Sequence, residues 1–436
     1  MELAAIEDLV REGGARVSRR AFVDNDVYEL ELARVFARCW LYLGHDSQLR
    51  EPGDYFTAYM GEDPIIVTRG DDGVISALLN SCQHRGMRVC RSDSGNSRYF
   101  RCPYHGWSYN ENGKLVGIPR LKTGYFDELD RENLGLVRVP RITNYKGMIW
   151  ANWDPEAPTF EEYLGGMKVY LDLMLDRIPG GLEAVEGVHK WTIDGNWKFA
   201  ADNFVGDMYH VPVTHGSAHS IGLRQAWSDL GYQINPGNGH GFGGEYGGLS
   251  AAENETSYTP YIKQIRAHLA EQNGDYINKI VPLGHMTIFP NFSALDTLRF
   301  RTFRVWNPVG PEKMQVHAWA IFDKALPDEI KQSIRQQYIF TFGPSGVFEQ
   351  EDGENWSQST RSTRGWIARQ YDLNYSMGAG HEEPVEKVLG SNLPGQMGGI
   401  WSEINQRGFY LRWQQLLKAD SWNTIREEEK ALGADK

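Results

Sequence analysis

The chain has 436 residues, 41% hydrophobic and 23% charged, a balance that fits a folded globular protein and argues against disorder. Its net charge of −12 lacks the clustered Lys and Arg that phosphate binding needs, so nucleic acid is not an expected partner. No apolar run approaches the ~20 residues of a membrane helix, and Met1 to Gly13 carries acids where a signal peptide has its apolar core, so the expected location is cytoplasmic.

Along the chain, residues 20 to 38 are predicted to be helical, with Asp24 and Asn25 as cap groups and Val27, Leu30, Leu32, Val35 and Phe36 near helical spacing. From about Trp40 the pattern changes to short strand-like runs: Tyr55–Tyr59, Pro64–Thr68, Ile75–Leu79, Tyr99–Cys102 and Met148–Trp153. Gly and Asp turns such as Gly70-Asp71-Asp72-Gly73 separate them. The organisation expected is an N-terminal helical segment (1–39), a small all-β domain (40–155) and a larger mixed region (156–436). In the latter, Phe160 to Leu175, Asp328 to Phe342 and Ile400 to Leu417 read as helices. Leu298–Trp306 and Met314–Phe322 read as a strand pair around the turn Asn307-Pro308-Val309-Gly310. Residues 237 to 248 hold seven glycines without a phosphate-binding fingerprint, and read equally as a surface loop or a lid over a pocket.

Chemistry first concentrates in the β domain. Of the four cysteines, Cys39, Cys82, Cys90 and Cys102, three fall within 21 positions, with histidines interleaved. In a reducing compartment such a cluster points to metal or redox chemistry rather than disulfides. Cys82-Gln83-His84 and Cys102-Pro103-Tyr104-His105 each offer one thiolate and one imidazole. Structural zinc sites usually keep like ligands together. A Rieske [2Fe–2S] cluster needs two Cys on one iron and two His on the other, which mixed loops supply directly. Gly86, Pro103 and Gly106 permit tight loops, and Trp107 can shield the centre from water. Cys39 and Cys90 fall outside the pattern and read as structural thiols.

The second concentration is Asp207-Met208-Tyr209-His210-Val211-Pro212-Val213-Thr214-His215. Asp207 and His210 would share a helix face. His210 and His215 would stand roughly 140° apart on a regular helix, unless Pro212 distorts or ends it. Two His plus a carboxylate make the facial triad of a non-haem Fe(II) oxygenase. Downstream, Phe348-Glu349-Gln350-Glu351-Asp352-Gly353-Glu354 offers four acids, and spacing does not choose among Glu349, Glu351, Asp352 and Glu354.

Cys82-Gln83-His84-Arg85-Gly86 and Cys102-Pro103-Tyr104-His105-Gly106-Trp107 resemble both cluster loops of the Rieske family. From Arg19 to about Trp422 the chain resembles the large (α) subunit of ring-hydroxylating dioxygenases of the naphthalene, biphenyl and phenylpropionate type. The resemblance implies an α+β fold: a Rieske domain plus a catalytic domain whose antiparallel sheet is flanked by helices, with the N-terminal segment packed on the latter. It implies Cys82, His84, Cys102 and His105 as cluster ligands, and His210, His215 and Asp352 as ligands of a mononuclear Fe(II). Asp207 is implied as the catalytic bridging acid, reaching a cluster histidine matched by His105 in a neighbouring subunit. Asn203, Phe204, His285, Thr287, Thr297, Phe342 and Phe348 fall where the family lines its substrate pocket. The implied reaction uses O2 and electrons from NAD(P)H, delivered by a ferredoxin or reductase, to cis-dihydroxylate an aromatic ring. The implied assembly is α3β3 with a small β subunit. Alternatives are same-family monooxygenation (salicylate hydroxylation, demethylation), a zinc-stabilised binding module and a ferredoxin-like carrier. The absence of an assignable pocket Arg or Lys favours an uncharged aromatic hydrocarbon.

Overall fold

The computed structural model describes residues 3–185, 187–222, 228–246, 259–280, 284–297 and 300–431. It divides into two compact units, one of residues 36–157 and one of residues 1–35 with 158–436. Among the described residues no helix is long and apolar enough to cross a membrane.

The smaller unit is built from short antiparallel strands. β1 (Leu41–His45) pairs with β10 (Met148–Asn152), which pairs with β9 (Arg141–Tyr145). A second sheet runs β4 (Ile75–Leu79), β3 (Asp63–Arg69), β2 (Asp54–Met60), β5 (Ser94–Asn96). A third, β6 (Tyr99–Arg101), β7 (Ser108–Asn110) and β8 (Leu115–Gly117), carries the second Cys/His loop between its first two strands. Tyr55, Ile66, Leu78, Phe100, Trp107 and Tyr109 form the core, joined by Cys82, Cys90 and Cys102. Cys39 is also fully buried.

Residues 20–38, which run along the chain from the larger unit into the first residues of the smaller, form a broken helix. A 3-10 turn (Arg19–Phe22) leads to α1 (Asn25–Glu31), and a π-helical turn (Leu32–Phe36) follows. Glu31 holds this segment in place. It is buried, and it accepts from Lys198 Nζ, Trp197 Nε1 and Trp413 Nε1. The predicted helix 160–175 is two helices, α2 (Phe160–Leu164) and α3 (Met167–Leu175). They break at Gly165, whose φ is +49°, and a Cβ on Gly166 would come within 2.6 Å of the Pro236 carbonyl.

The main sheet of the larger unit has ten strands among the described residues, all antiparallel. β11 (Leu182–Ala184) and β12 (His189–Ile193) both pair with β18 (Met314–Asp323). The order then runs β17 (Arg301–Pro308), β16 (Phe292–Asp296), β15 (Gly284–Ile288), β14 (Gly241–Glu245), β13 (Gly231–Asn235), β20 (Gln396–Gly399) and β19 (Glu383–Pro384). The turn between β17 and β18 lies at Val309–Lys313 rather than 307–310, because Asn307 and Pro308 still pair with Gln315 and Met314. Leu298, the expected start of the first strand of this pair, lies outside the described residues together with Arg299.

Alternation along the strands gives the sheet two different faces. Phe242, Met286, Ile288, Phe292, Ala294, Phe303 and Val305 make one face apolar. The other carries Gln233, Gly241, Gly243, His285, Thr287, Ser293, Arg304 and Trp306. α4 (Trp197–Gly206) packs across β14 to β17. The glycine-rich stretch is therefore neither loop nor lid over its described part. Gly237–His240 is a turn and Gly241–Glu245 is β14, whereas Gly247 and Gly248 lie outside the described residues. Bare backbone is needed there because a Cβ on Gly241 would meet the Val205 carbonyl at 2.8 Å.

Candidate metal centres

The two Cys/His loops have the same backbone design. In the first, Cys82 N–H donates to Met87 O (2.9 Å) and Gly86 N–H to Cys82 O (2.8 Å); in the second, Cys102 N–H donates to Trp107 O (2.7 Å) and Gly106 N–H to Cys102 O (3.0 Å). Gly86 and Gly106 both sit in the left-handed region, at φ +71° and +75°, where a side chain would be strained. Asn80, just before the first loop, holds the loop's far end: its Nδ2 donates to Cys90 O and its Oδ1 accepts from Val89 and Cys90 N–H.

These loops bury both thiols and leave both imidazoles half-exposed at one edge. His84 Nδ1 and His105 Nδ1 are 3.1 Å apart, close enough to share one metal ion. Trp107 stacks on His84 at 5.1 Å and covers it from within. Tyr109 O–H lies 3.3 Å from Cys82 Sγ and accepts from Gln83 N–H, a hydrogen bond of the kind that tunes an iron–sulfur potential. Burial pushes the Cys82 thiol up, against the Tyr109 bond. Among the described residues, the group of three ligand atoms within 4.8 Å lies elsewhere, at His210, His215 and Asp352. Two Cys and two His that do not gather around one ion suit a two-iron cluster and not a closed zinc site.

The second constellation is assembled from α4, a broken helical segment and α9 (Val347–Thr363), which comes after α7 (Thr259–Asn273) and α8 (Asp328–Phe342) along the chain. α4 ends at Gly206, so Asp207 and His210 do not share a helix as expected. Asp207 instead caps the next turn, its Oδ1 accepting from His210 N–H at 3.0 Å. Its Oδ2 lies 3.3 Å from His210 Nδ1, in contact but poorly aligned for a hydrogen bond. Pro212 starts a one-turn helix, α5 (Val211–Thr214), rather than ending one, since its missing N–H is no loss in a first turn. A second short helix, α6 (Gly216–Ser220), follows, and His215 sits at the joint. That joint brings the two imidazoles to 5.2 Å between ring centroids.

The helical phase of α9 settles the four acids. Phe348, Glu349, Asp352, Trp356 and Thr360 form its buried stripe. Asp352 Oδ1 lies 3.3 Å from both His210 Nε2 and His215 Nε2. That oxygen is fully buried with no well-formed hydrogen bond. A buried carboxylate oxygen aimed between two imidazole nitrogens is the donor set a divalent iron fits. Burial alone would raise the Asp352 carboxyl, but the two imidazoles outweigh it and hold it at about 2. Glu349 points elsewhere and pairs with buried Arg304. Glu354 stays at the surface with Gln358. Glu351 accepts from His215 Nδ1–H at 2.7 Å and from Ser217 Oγ–H, a role that spacing did not reveal. Such a partner fixes a ligand's tautomer and orientation. Glu351→Ala is expected to weaken iron binding about 10–100-fold while leaving the cluster intact, as read from metal titration of the iron-depleted protein.

Of the expected pocket residues, Phe348 stands against the triad with its ring centroid 4.8 Å from that of His215, and Phe342 packs on Phe348 at 5.4 Å. Phe204 packs against Trp306, Phe342 and Trp356. Asn203 Oδ1 accepts from Trp356 Nε1 at 3.4 Å. His285 is buried on β15. The hydroxyls of Thr287 and Thr297 are already engaged, Thr287 with Ser293 Oγ (2.8 Å) and Thr297 with the Phe300 carbonyl (3.0 Å).

Comparison with known proteins agrees with this geometry. Residues 182–419 match the ring hydroxylating alpha subunit (catalytic domain) family, and residues 39–142 match the Rieske [2Fe-2S] domain. The chain is 40% identical to the biphenyl dioxygenase α subunit of Paraburkholderia xenovorans, over 97% of this chain and 95% of that protein. It is also 40% identical to a benzene 1,2-dioxygenase α subunit of Pseudomonas putida over the same shares. Naphthalene 1,2-dioxygenase with indole bound in its active site superposes with a TM-score of 0.88 at 34% identity, covering 96% of each chain.

Proposed function

From membership of the Rieske ring-hydroxylating dioxygenase α-subunit family, to which this chain belongs, we propose that it is the terminal oxygenase subunit that cis-dihydroxylates an uncharged aromatic hydrocarbon. We further propose that Cys82, His84, Cys102 and His105 hold the [2Fe–2S] cluster and that His210, His215 and Asp352 hold the mononuclear iron. Residues 40–155 would form the cluster domain and 156–436 the catalytic domain, with 1–39 belonging to the latter. The expected partners are a small β subunit in an α3β3 assembly and a ferredoxin or reductase fed by NAD(P)H, in the cytoplasm.

When bound, the cluster and the mononuclear iron would supply one-electron delivery and O2 chemistry. The protein's own part is positional. Glu351 orients the His215 ring, and Asp207 fixes the backbone and faces the ring of His210. Phe204, Phe342, Phe348, Trp306 and Trp356 present an aromatic wall that packs on a flat ring and excludes water. The observation that carries the reading is the buried, unpartnered Asp352 oxygen between two imidazoles beside this wall.

Arg304 argues for an uncharged substrate. Its guanidinium lies over Phe204, Trp306 and Phe342 at 5.1–5.7 Å, yet its charge is taken by Glu349 and the Phe342 carbonyl. A cation so engaged is not offered to a substrate carboxylate. The test is turnover of naphthalene, biphenyl, phenylpropionate, phthalate and salicylate under 18O2 with reconstituted electron donors. Two labelled oxygens on adjacent carbons of the hydrocarbons are expected; a single labelled oxygen, or turnover confined to the acids, would replace the reading with monooxygenation.

A further inference from the structure

Three adjacent strands bring Gln233, Gly243 and His285 into one row: Gln233 pairs with Gly243, and Gly243 with His285. Residues in one row share a face. The middle one has no side chain, so the outer two meet above it. His285 Nε2 lies 3.0 Å from Gln233 Oε1. A Cβ on Gly243 would lie 2.3 Å from that oxygen and 2.6 Å from that nitrogen. The glycine makes room for this hydrogen bond.

The surrounding carbonyls decide which atom carries the proton. Gln233 Nε2 donates to Ile400 O at 3.1 Å. Asn405 Nδ2 donates to Val205 O (2.9 Å), Phe242 O (3.2 Å) and Gln233 Oε1 (3.0 Å). Backbone carbonyls only accept, so both amide groups have one sensible orientation. Gln233 Oε1 is then an acceptor on every side, and His285 must donate from Nε2. Burial disfavours the imidazolium and pushes the ring's pKa down to about 4, with Asp207 and His210 adding opposed smaller effects. A neutral ring protonated at Nε2 leaves Nδ1 a bare acceptor. Among the described residues Nδ1 has no hydrogen-bond partner. The ring is 7% exposed, and Nδ1 is not one of the sealed polar atoms lacking a partner. It lies on the face shared with Thr287, Ser293 and Trp306, over which α4 packs.

We propose that Gln233 is a positioning residue that fixes His285 as its Nε2–H tautomer, and that the free Nδ1 accepts a hydrogen bond from an N–H or O–H on an uncharged aromatic substrate. This rests on the reading of the site as an arene-oxygenating centre and widens its substrates from aromatic hydrocarbons to uncharged rings that also carry such a donor. A site built to take such a bond discriminates against an analogue that lacks the donor.

The probes are indole and its carbon isostere indene, with the reconstituted holoenzyme and with Gln233→Leu and Gln233→Glu. Gln233→Leu frees the ring to place its proton on Nδ1. It should raise the KM for indole relative to that for indene about tenfold, the worth of one ordinary hydrogen bond. Gln233→Glu should keep the wild-type ratio, because a carboxylate also only accepts from Nε2. An unchanged ratio in Gln233→Leu, or an equal loss in Gln233→Glu, overturns the inference. Should Gln233→Leu not fold, His285→Leu must lose the same preference, and its retention there is equally fatal. A wild-type enzyme that oxygenates neither ring defeats the arene-oxygenase reading itself, a different failure from an unmoved ratio.

Discussion

His215→Ala yields a protein that keeps its coloured, reducible cluster but loses its mononuclear iron, and with it all turnover. The triad has one carboxylate and two imidazoles, and their ligand atoms already stand within 4.8 Å of one another. Removing one imidazole costs more than the 10–100-fold in affinity that loss of an outer partner costs. The substitution also strands Glu351, which then keeps Ser217 as its partner. Because His215 is buried between Asp352 and the edge of Phe348, Ala leaves a polar cavity where solvent can enter. The proposed cluster ligands lie in the other compact unit, so the visible spectrum should be unaffected. Iron and acid-labile sulfide assays decide the matter: the iron-to-sulfide ratio should fall to that of the cluster alone. A ratio equal to the wild type's would mean the iron is held elsewhere.

Asp207→Ala is expected to separate electron delivery from metal binding. In the proposed bridging role this carboxylate links His210 to a cluster histidine of another copy, matched by His105. Asp207 is half-buried, and although burial works against its charge, contact with His210 holds its carboxyl below the usual range. Its loss removes two things at once: the cap on the turn that carries His210, worth about 1 kcal/mol, and the charge beside the His210 ring. Asp207→Asn separates them, since the amide oxygen still accepts from His210 N–H but bears no charge. Both variants should retain the cluster and most of the mononuclear iron, and both should turn over about 100-fold more slowly, at the upper end of what an outer-partner loss costs. Stopped-flow re-oxidation of the reduced cluster, with substrate and O2 present, reports the step directly. Recovery of wild-type re-oxidation in Asp207→Asn would reduce Asp207 to a helix cap.

Much of this molecule was legible in its sequence because its first centre is local. Each loop supplies two of the proposed ligands within four residues, and the same glycine at the same offset closes each turn, so contiguous residues carry the whole pattern. The contrast between short alternating runs before residue 155 and a mixture of helices and strands after it is likewise a property of neighbours along the chain. The second centre joins residues more than a hundred positions apart, and there local rules gave right contacts for wrong reasons. Asp207 reaches His210 by capping a new turn and not along one helix, and Pro212 opens a helix because the chain had already broken at Gly206. Four acids between 349 and 354 were equivalent until the packing of α9 fixed which side of the helix is buried. That choice placed Asp352 between the imidazoles, Glu349 on Arg304 and Glu351 behind His215. The glycines at 241 and 243 looked like freedom because a sequence does not show what stands opposite them. Strand register did, by setting α4 over one and the Gln233–His285 hydrogen bond over the other. Side-chain chemistry and short-range geometry determined which metals this chain is built for; the break of the chain after Gly206 and the phase of one helix decided which residues meet at the second centre.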